Sequence, residues 1–327
     1  MTISRILVPL DGSRLAEQGL RCAAMMARGT GAEILLFQAV AIPADVHERL
    51  AVAGEDPETL LAQLASEAGG YLRELAEQLR ESGLSAAYAV ERGRPADAIL
   101  HQAGRPDVDQ IVMATHGYSG LRRWTHGSVA ERVLQSAEVP VLMVRAREED
   151  LEVDWREPMA CGRILVPLDG SSLAEQILPV ATKLARAVGA QLVLFQVPIV
   201  HVTGWMTGEW FLPVQGVLGT AEADAERYLK GVAGRLEGQV EVATATSVGS
   251  VAECIIDYAA AGDIDLVAMC THGRTGLARW ALGSVADRVL RAGTTPILLM
   301  RAQRAAAAGR RDEVPEEAPE DSRREAA

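Results

Sequence analysis

The sequence predicts an α/β protein of two tandem Rossmann-like domains, each a five-stranded parallel sheet with helices on both faces. Three observations carry that expectation. The nine residues Arg5-Ile6-Leu7-Val8-Pro9-Leu10-Asp11-Gly12-Ser13 recur without change as Arg163-Ile164-Leu165-Val166-Pro167-Leu168-Asp169-Gly170-Ser171, which fixes the register of an internal repeat. A glycine-bearing loop also recurs, over 114–128 and 270–284, each time between an apolar run and a helix start, Val129-Ala130-Glu131-Arg132-Val133-Leu134 and Val285-Ala286-Asp287-Arg288-Val289-Leu290. Between these marks short apolar runs alternate with amphipathic stretches, the pattern of strands buried on both faces and joined by crossover helices. With 327 residues the chain holds two domains of about 150 residues each, expected at 1–147 and 163–302.

In the first domain, Ile6 to Leu10 followed by Asp-Gly-Ser reads as a buried strand, a turn and a helix capped by the serine. That helix is expected over 15–29, with Leu15, Leu20, Ala23 and Met26 on or near one face. A second strand follows at Glu33-Ile34-Leu35-Leu36-Phe37. Pro43, Gly54 and Pro57 mark 41–56 as irregular. Leu61, Leu64, Ala68, Leu72, Leu75 and Leu79 recur at three- and four-residue spacing, which predicts a helix over 58–82 whose stripe is core. Next come a strand over 86–90, a turn at Gly93, a helix over 95–103 with Pro95 in its first turn, and the strand Gln110-Ile111-Val112-Met113 that leads into the glycine loop. The helix behind the loop ends near Ser136. Val139-Pro140-Val141-Leu142-Met143-Val144 closes the domain, and Pro140 places this strand at an edge or marks its beginning.

The second domain repeats the plan, with a shorter middle helix over about 221–236 and a connection carrying Trp205, Trp210 and Phe211. Those aromatics suit a lid, a partner surface, or simple packing of an irregular loop onto its own domain. The acidic stretch 148–162 reads as a linker. From 303 to 327 the chain is rich in Ala, Arg, Glu and Pro without apolar periodicity, which predicts a disordered charged tail.

A formal net charge of −12 argues against nucleic acid and anionic membranes as partners. Cys22, Cys161, Cys254 and Cys270 show no metal-type spacing, and Cys22 and Cys254 fall in helical stretches as small apolar residues, which suits the reduced cytoplasm. No signal peptide is expected ahead of the first strand. The uncharged stretch 191–208 is broken by Pro198, Gly204 and Gly208, so its first half reads as a strand and not as part of a membrane span.

In an open parallel sheet, ligands bind beyond the carboxyl ends of the strands where strand order reverses. With strands one and four as neighbours there, Asp11 meets the loop 114–128 and Asp169 meets the loop 270–284. Ser128 with Glu131 three residues later reads as a capping box, and the Gly127-Ser128 and Gly283-Ser284 corners offer an anion unpaired amides and the positive end of a helix dipole. The alternative is structural: serines that only cap, glycines that only permit a tight loop, and aspartates that serve their own turn. Arg123 and Arg279 either neutralise phosphate or lie on the solvated side of the loop. No nucleophile and acid can be placed beside His116 or His272, so no catalytic residue is assigned. Cys270 lies near a helix start whose positive potential lowers a thiol pKa, but Ala114 holds its place in the first domain, which excludes shared thiol chemistry. There is no GxxxxGK[ST] sequence and no metal-type cluster.

These motifs resemble the universal stress protein family in its tandem form. The resemblance spans nearly all of 1–147 and 163–302, and rests on the Val-Pro-Leu-Asp-Gly-Ser opening, the Thr-His-Gly loop and the Gly-Ser-Val-Ala helix start. It implies strand order 3-2-1-4-5 in each domain and pairing of the fifth strands, here 141–144 and 296–300, as an intrachain pseudo-dimer. It also implies a nucleotide site built on Gly, two residues, Gly, nine residues and Gly-Ser, with an aspartate after strand one and a residue after strand two lying along the adenine. Matched position by position, the first site is Asp11, Ala39, Ala114, Gly117, Gly127 and Ser128; the second is Asp169, Val197, Gly273, Gly283 and Ser284. The first glycine of the pattern is replaced by Ala114 and by Cys270. A cysteine side chain is expected to crowd the phosphates more than an alanine methyl, which favours the first site.

The resulting expectation is a cytoplasmic stress-response protein that binds an adenine nucleotide, ATP foremost and with or without Mg, as a sensor or regulator with little or no catalysis. Self-association of the whole chain and a protein partner are left open. Two alternatives stand beside it: an interaction scaffold with degenerate sites, favoured by Ala114 and Cys270, and a slow ATPase, opposed by the missing Walker lysine and general base.

Overall fold

The computed structural model describes residues 3–54, 56–116, 128–146, 156, 159–198, 214–272 and 282–302. Its first apolar run forms β1 (Arg5–Pro9). Ile6, Leu7 and Val8 have no exposed surface. Ile6 and Val8 belong to one hydrophobic core and Leu7 to another, because alternate side chains of a strand point to opposite faces. A parallel sheet covered on both sides follows from that one strand.

The Asp-Gly-Ser turn leads into α1 (Arg14–Glu17) and α2 (Gly19–Thr30). The single helix expected over 15–29 is therefore interrupted at Gln18. Glycine propagates a helix poorly, and Gly19 is pressed against the end of a neighbouring strand, where a Cβ would lie 3.4 Å from the backbone nitrogen of Ala114. β2 (Glu33–Val40) comes next, then α3 (Ala44–Ala53) and α4 (Pro57–Glu81). The segment expected to be irregular thus contains a helix: the Pro43 carbonyl accepts from the amides of Val46 and His47, and Gly54 ends the helix at a φ of 74°. Pro43 and Gly54 bound that helix and do not mark a loop. Along α4, Ala68, Leu72, Leu75 and Leu79 are buried, whereas Leu61 and Leu64 in its early turns are only half-buried. The first half continues through β3 (Ala86–Arg92), α5 (Pro95–Ala103), β4 (Gln110–His116), α6 (Ser128–Ser136) and β5 (Val141–Ala146).

The second half begins with β6 (Arg163–Pro167), a 3-10 turn (Ala174–Ile177), α7 (Leu178–Val188) and β7 (Gln191–Gln196). It continues with α8 (Val214–Leu236), β8 (Val242–Thr246), α9 (Val251–Ala261), β9 (Leu266–Cys270), α10 (Ser284–Ala292) and β10 (Ile297–Met300). The middle helix α8 has 23 residues against 25 in α4, so it begins well before the start read from the sequence and is nearly as long as its counterpart.

The ten strands form one sheet in the order β3-β2-β1-β4-β5-β10-β9-β6-β7-β8. Each half therefore has the order 3-2-1-4-5, with parallel pairing throughout. The two halves meet where β5 and β10 pair antiparallel, Leu142 opposite Leu298. Pro140 precedes β5, and that strand is interior, so the proline marks a strand beginning and not an edge. Across the joint α2 packs on α7: a Cβ on Gly29 would lie 2.6 Å from the carbonyl oxygen of Ala187. Both cores run through both halves. No helix among the described residues is long and apolar enough to cross a membrane.

Cys22 on α2 and Cys161 ahead of β6 are buried, and burial is the main cause pushing each thiol up to about 12. Nearby Cys161 adds to the rise at Cys22, and Asp265 to that at Cys161. Little of either thiol is then the reactive thiolate at pH 8. In an alkylation time course at that pH, read by peptide mass, Cys22 and Cys161 are expected to react only as the protein unfolds, with the half-buried Cys254 on α9 modified ahead of them. Fast labelling of native Cys22 would contradict this.

Candidate functional site

Beyond β1, Oδ1 of Asp11 accepts hydrogen bonds from the amide (3.0 Å) and hydroxyl (2.6 Å) of Ser13, whose Oγ accepts from the amide of Ala16 at 3.1 Å. Beyond β6 the arrangement repeats: Oδ1 of Asp169 accepts from Ser171 at 2.9 and 2.6 Å, and Ser171 Oγ accepts from Ala174 at 3.1 Å. The intervening glycines, Gly12 and Gly170, have φ of 83° and 82°, the left-handed region that a side chain disfavours. Ser13 is the N-cap of α1 as expected, whereas the cap position of the 3-10 turn is Leu173 and Ser171 only accepts the matching bond from its first residue. Each aspartate uses one carboxylate oxygen to hold its turn, which fixes the direction in which the carboxylate faces.

In the second half this turn borders a cavity of about 290 Å³ at the carboxyl ends of β6, β7 and β9. Asp169, Val197, Gly283 and Ser284 all line it. Four residues predicted from positions up to 115 apart in the sequence thus face one space. The rest of the wall is largely apolar: Phe195 and Met269 from strand ends, Val251 and Ile255 from α9, and Val285 from α10. Phe195 is held by Tyr258, with ring centroids 4.8 Å apart and planes inclined by 37°. Val251 and Ile255 were not singled out from the sequence; their spacing of four, one helical turn, was their sole signal.

The glycine loop is fastened at its base. The amide of Gly283 donates to the carbonyl of Thr271 at 2.9 Å, and a Cβ on Gly283 would lie 2.5 Å from that same oxygen. Gly283 has an ordinary extended backbone, φ −60° and ψ 145°, so close approach of two backbones and not torsional freedom demands glycine here. It is also the N-cap of α10, its carbonyl accepting from Asp287 at 2.8 Å. Ser284, read as a cap, is therefore the first helical residue, and no side chain caps this helix. The amides of Ser284, Val285 and Ala286 precede the first intrahelical bond and belong to residues lining the cavity, which puts unpaired donors and the positive helix end at its rim.

Cys270 departs from the lowered thiol pKa expected of it. Its thiol is pushed up to about 12, chiefly by burial, with an opposing backbone hydrogen bond from Ile177 and a further rise from Asp169. Desolvation thus outweighs the helix start that was expected to lower it. The Sγ also lies 3.8 Å from the carbonyl oxygen of Ala174 in the 3-10 turn, and Cys270 and Met269 belong to opposite cores. Cys270 also lines the cavity, so its side chain borders the space in which the phosphates were expected. His272 Nδ1 lies 3.1 Å from Thr271 Oγ1, so the ring is held by its neighbour's hydroxyl.

In the first half, Asp11 and Ser128 are exposed and Ala39 and Ala114 are half-buried, with Ala39 opposite Glu91 and Ala114 opposite Val144 in the sheet. Gly117, Gly127 and Gly273 lie outside the described residues, as do Arg123, Arg279, the side chain of His116, the segment from Trp205 to Phe211 and the tail. Among the described residues no group of three or more His, Cys, Asp or Glu is placed to hold a metal ion.

The sequence model of the universal stress protein family matches residues 2–145 and 161–301. Universal stress protein MJ0531 of Methanocaldococcus jannaschii is 31% identical over 147 residues, 45% of this chain and 84% of the relative. YxiE, a universal stress protein of Bacillus subtilis, is 29% identical over 146 residues, 43% of this chain and 99% of the relative. Among solved structures, a universal stress protein from Archaeoglobus fulgidus DSM 4304 covers 92% of this chain and 99% of its own at 20% identity, with a TM-score of 0.67. That likeness extends the shared fold over both halves.

Proposed function

We propose that this chain, which belongs to the universal stress protein family, is a cytoplasmic stress-response protein that binds an adenine nucleotide as a sensor or regulator, with little or no catalysis. The observation that carries the reading is the 290 Å³ cavity on which Asp169, Val197, Gly283 and Ser284 converge. Its size suits the nucleoside part of such a ligand, near the lower end of the roughly 300–1,000 Å³ usual for small-molecule sites. The apolar wall would take the base, Asp169 would accept from a hydroxyl or amino group, and the first turn of α10 would face the phosphates. Any Mg would arrive on the phosphate oxygens, as it binds oxygen ligands and keeps several waters. Asp11, Ala39, Ala114, Gly117, Gly127 and Ser128 form the corresponding set in the first domain, and Gly273 completes the second.

The same reading divides the chain into domains at 1–147 and 163–302, a linker at 148–162 and a tail at 303–327. It takes the β5–β10 pairing as an intrachain pseudo-dimer.

Calorimetric titration of ATP and AMP into the full chain, freed of prebound nucleotide, tests the proposal. Saturable binding is expected, weakened about 10- to 100-fold in Asp169→Asn, the equivalent of losing one hydrogen bond to a charged group. Asparagine keeps the Oδ1 acceptor of the turn, so the loss reports the ligand. Absence of binding by the intact protein overturns the proposal in favour of a scaffold, and phosphate release above background that requires Asp169 overturns the non-catalytic part.

A further inference from the structure

Beside the joint between the halves, a cleft of about 700 Å³ opens among α1, α2 and α4 on one side and the segment leading into β10 on the other. It borders the core that contains Cys22 and Leu75. Asp11, Ala39, Ala114, Asp169, Val197 and Gly283 are not among its walls.

The cleft is rich in arginine. Arg14, Arg21, Arg145 and Arg156 line it, against the carboxylates of Glu17, Glu74 and Asp265. Two of the carboxylates have hydrogen-bond partners: Glu17 accepts from the hydroxyl of Tyr71, also on the cleft wall, at 2.9 Å, and Asp265 accepts from the amides of Gly162 and Arg163 at 2.7 and 3.0 Å. Two of the arginines are engaged too: Arg145 donates to the carbonyl of Gly293 at 3.0 Å and Arg156 to Gln78 at 2.8 Å. Arg14 and Arg21 have no hydrogen-bond or ion-pair partner among the described residues, and Nε of Arg21 is shielded from solvent without an acceptor. A buried charged donor left in that state is costly until an acceptor reaches it.

The internal repeat shows that the fold itself does not require this. Ser172 and Pro179 hold the places of Arg14 and Arg21 in the second half, whereas the Glu17–Tyr71 contact is kept there as Glu175 and Tyr228, 2.8 Å apart. The unpaired guanidinium groups belong to one half only, at a cleft large enough for a small molecule.

We propose that this cleft is a second ligand site that takes a small molecule carrying phosphate groups, with Arg14 and Arg21 as its principal donors. Guanidinium forks match phosphate oxygens in pairs, and two arginines seven residues apart on successive helices suit a ligand with more than one anionic group. The opposite wall carries Thr294 and Thr295 ahead of β10, so the occupant would touch both halves of the chain.

Inorganic pyrophosphate is the probe, titrated calorimetrically into the full chain and into the double variant Arg14→Gln, Arg21→Gln. Saturable binding is expected, weakened at least tenfold in the double variant and less so in Arg21→Lys, which keeps the charge and loses the fork. Failure of the intact chain to bind pyrophosphate overturns the proposal, as does equal binding by the double variant, which would place the anion at the nucleotide cradle. A measurement on the unaltered chain guards against misfolding of the variants. Pyrophosphate is expected to protect Arg14 and Arg21 from phenylglyoxal, read by peptide mass, and unchanged modification of both overturns the site.

Discussion

Replacing Gly283 by alanine is expected to lower the stability of the fold by about 1–3 kcal/mol, the usual range for forcing extra carbon into a packed site, and to weaken nucleotide binding to the second-domain cavity at least tenfold. The added methyl would stand 2.5 Å from the Thr271 carbonyl oxygen. That oxygen is backbone, so it cannot swing aside as a flexible side chain would. Either the loop base opens and the 2.9 Å bond from the Gly283 amide to Thr271 lengthens, or α10 shifts and carries its first-turn amides off the cavity. Both routes reach the proposed phosphate position. Ser284→Ala is the control: Ser284 is the first helical residue and makes no cap bond, so its loss is expected to leave stability nearly unchanged. Urea denaturation and calorimetry on the two variants check the pair. Equal stability of Gly283→Ala and the parent protein would show that the clamp is not a constraint.

Leu298→Ala is expected to cost about 2–5 kcal/mol, the range for removing a buried leucine side chain from a core. Leu298 and Leu142 are both fully buried and face each other across the antiparallel β5–β10 pair, in the core that also holds residues of α2 and α7. Leu142→Ala is expected to act similarly. The double variant should fall short of the sum, because the two side chains share one neighbourhood and their effects couple. Denaturant titration of the three variants measures this. A loss below about 1 kcal/mol for Leu298→Ala would make the joint peripheral to stability, a mere contact between halves that stand alone.

Much of this molecule was legible from neighbouring residues. β1 and β6 were readable because strands covered on both faces are continuous apolar runs, and α5 was readable because Pro95 sets its first turn. Ser13 was recognisable as a cap from the Asp-Gly-Ser turn alone. The same local signs misled where they have two meanings. Pro43 and Gly54 punctuate loops and also bound helices, and here they bound α3.

The sequence by itself determined the repeat, the alternation of strands and helices, and the residue types gathered at the strand ends, since each depends on periods and turn chemistry spanning a few residues. Tertiary structure alone decided that Gly283 and not Ser284 caps α10, because the cap is set by contact with Thr271 across the loop. It decided that the Cys270 thiol is raised and not lowered, because desolvation by distant chain segments outweighs a nearby helix end. It also decided that Arg14 and Arg21 face a cleft whose opposite wall lies more than 270 positions further along the chain. Contacts of that kind are chosen by the packing of whole elements, and no short stretch of sequence contains both partners.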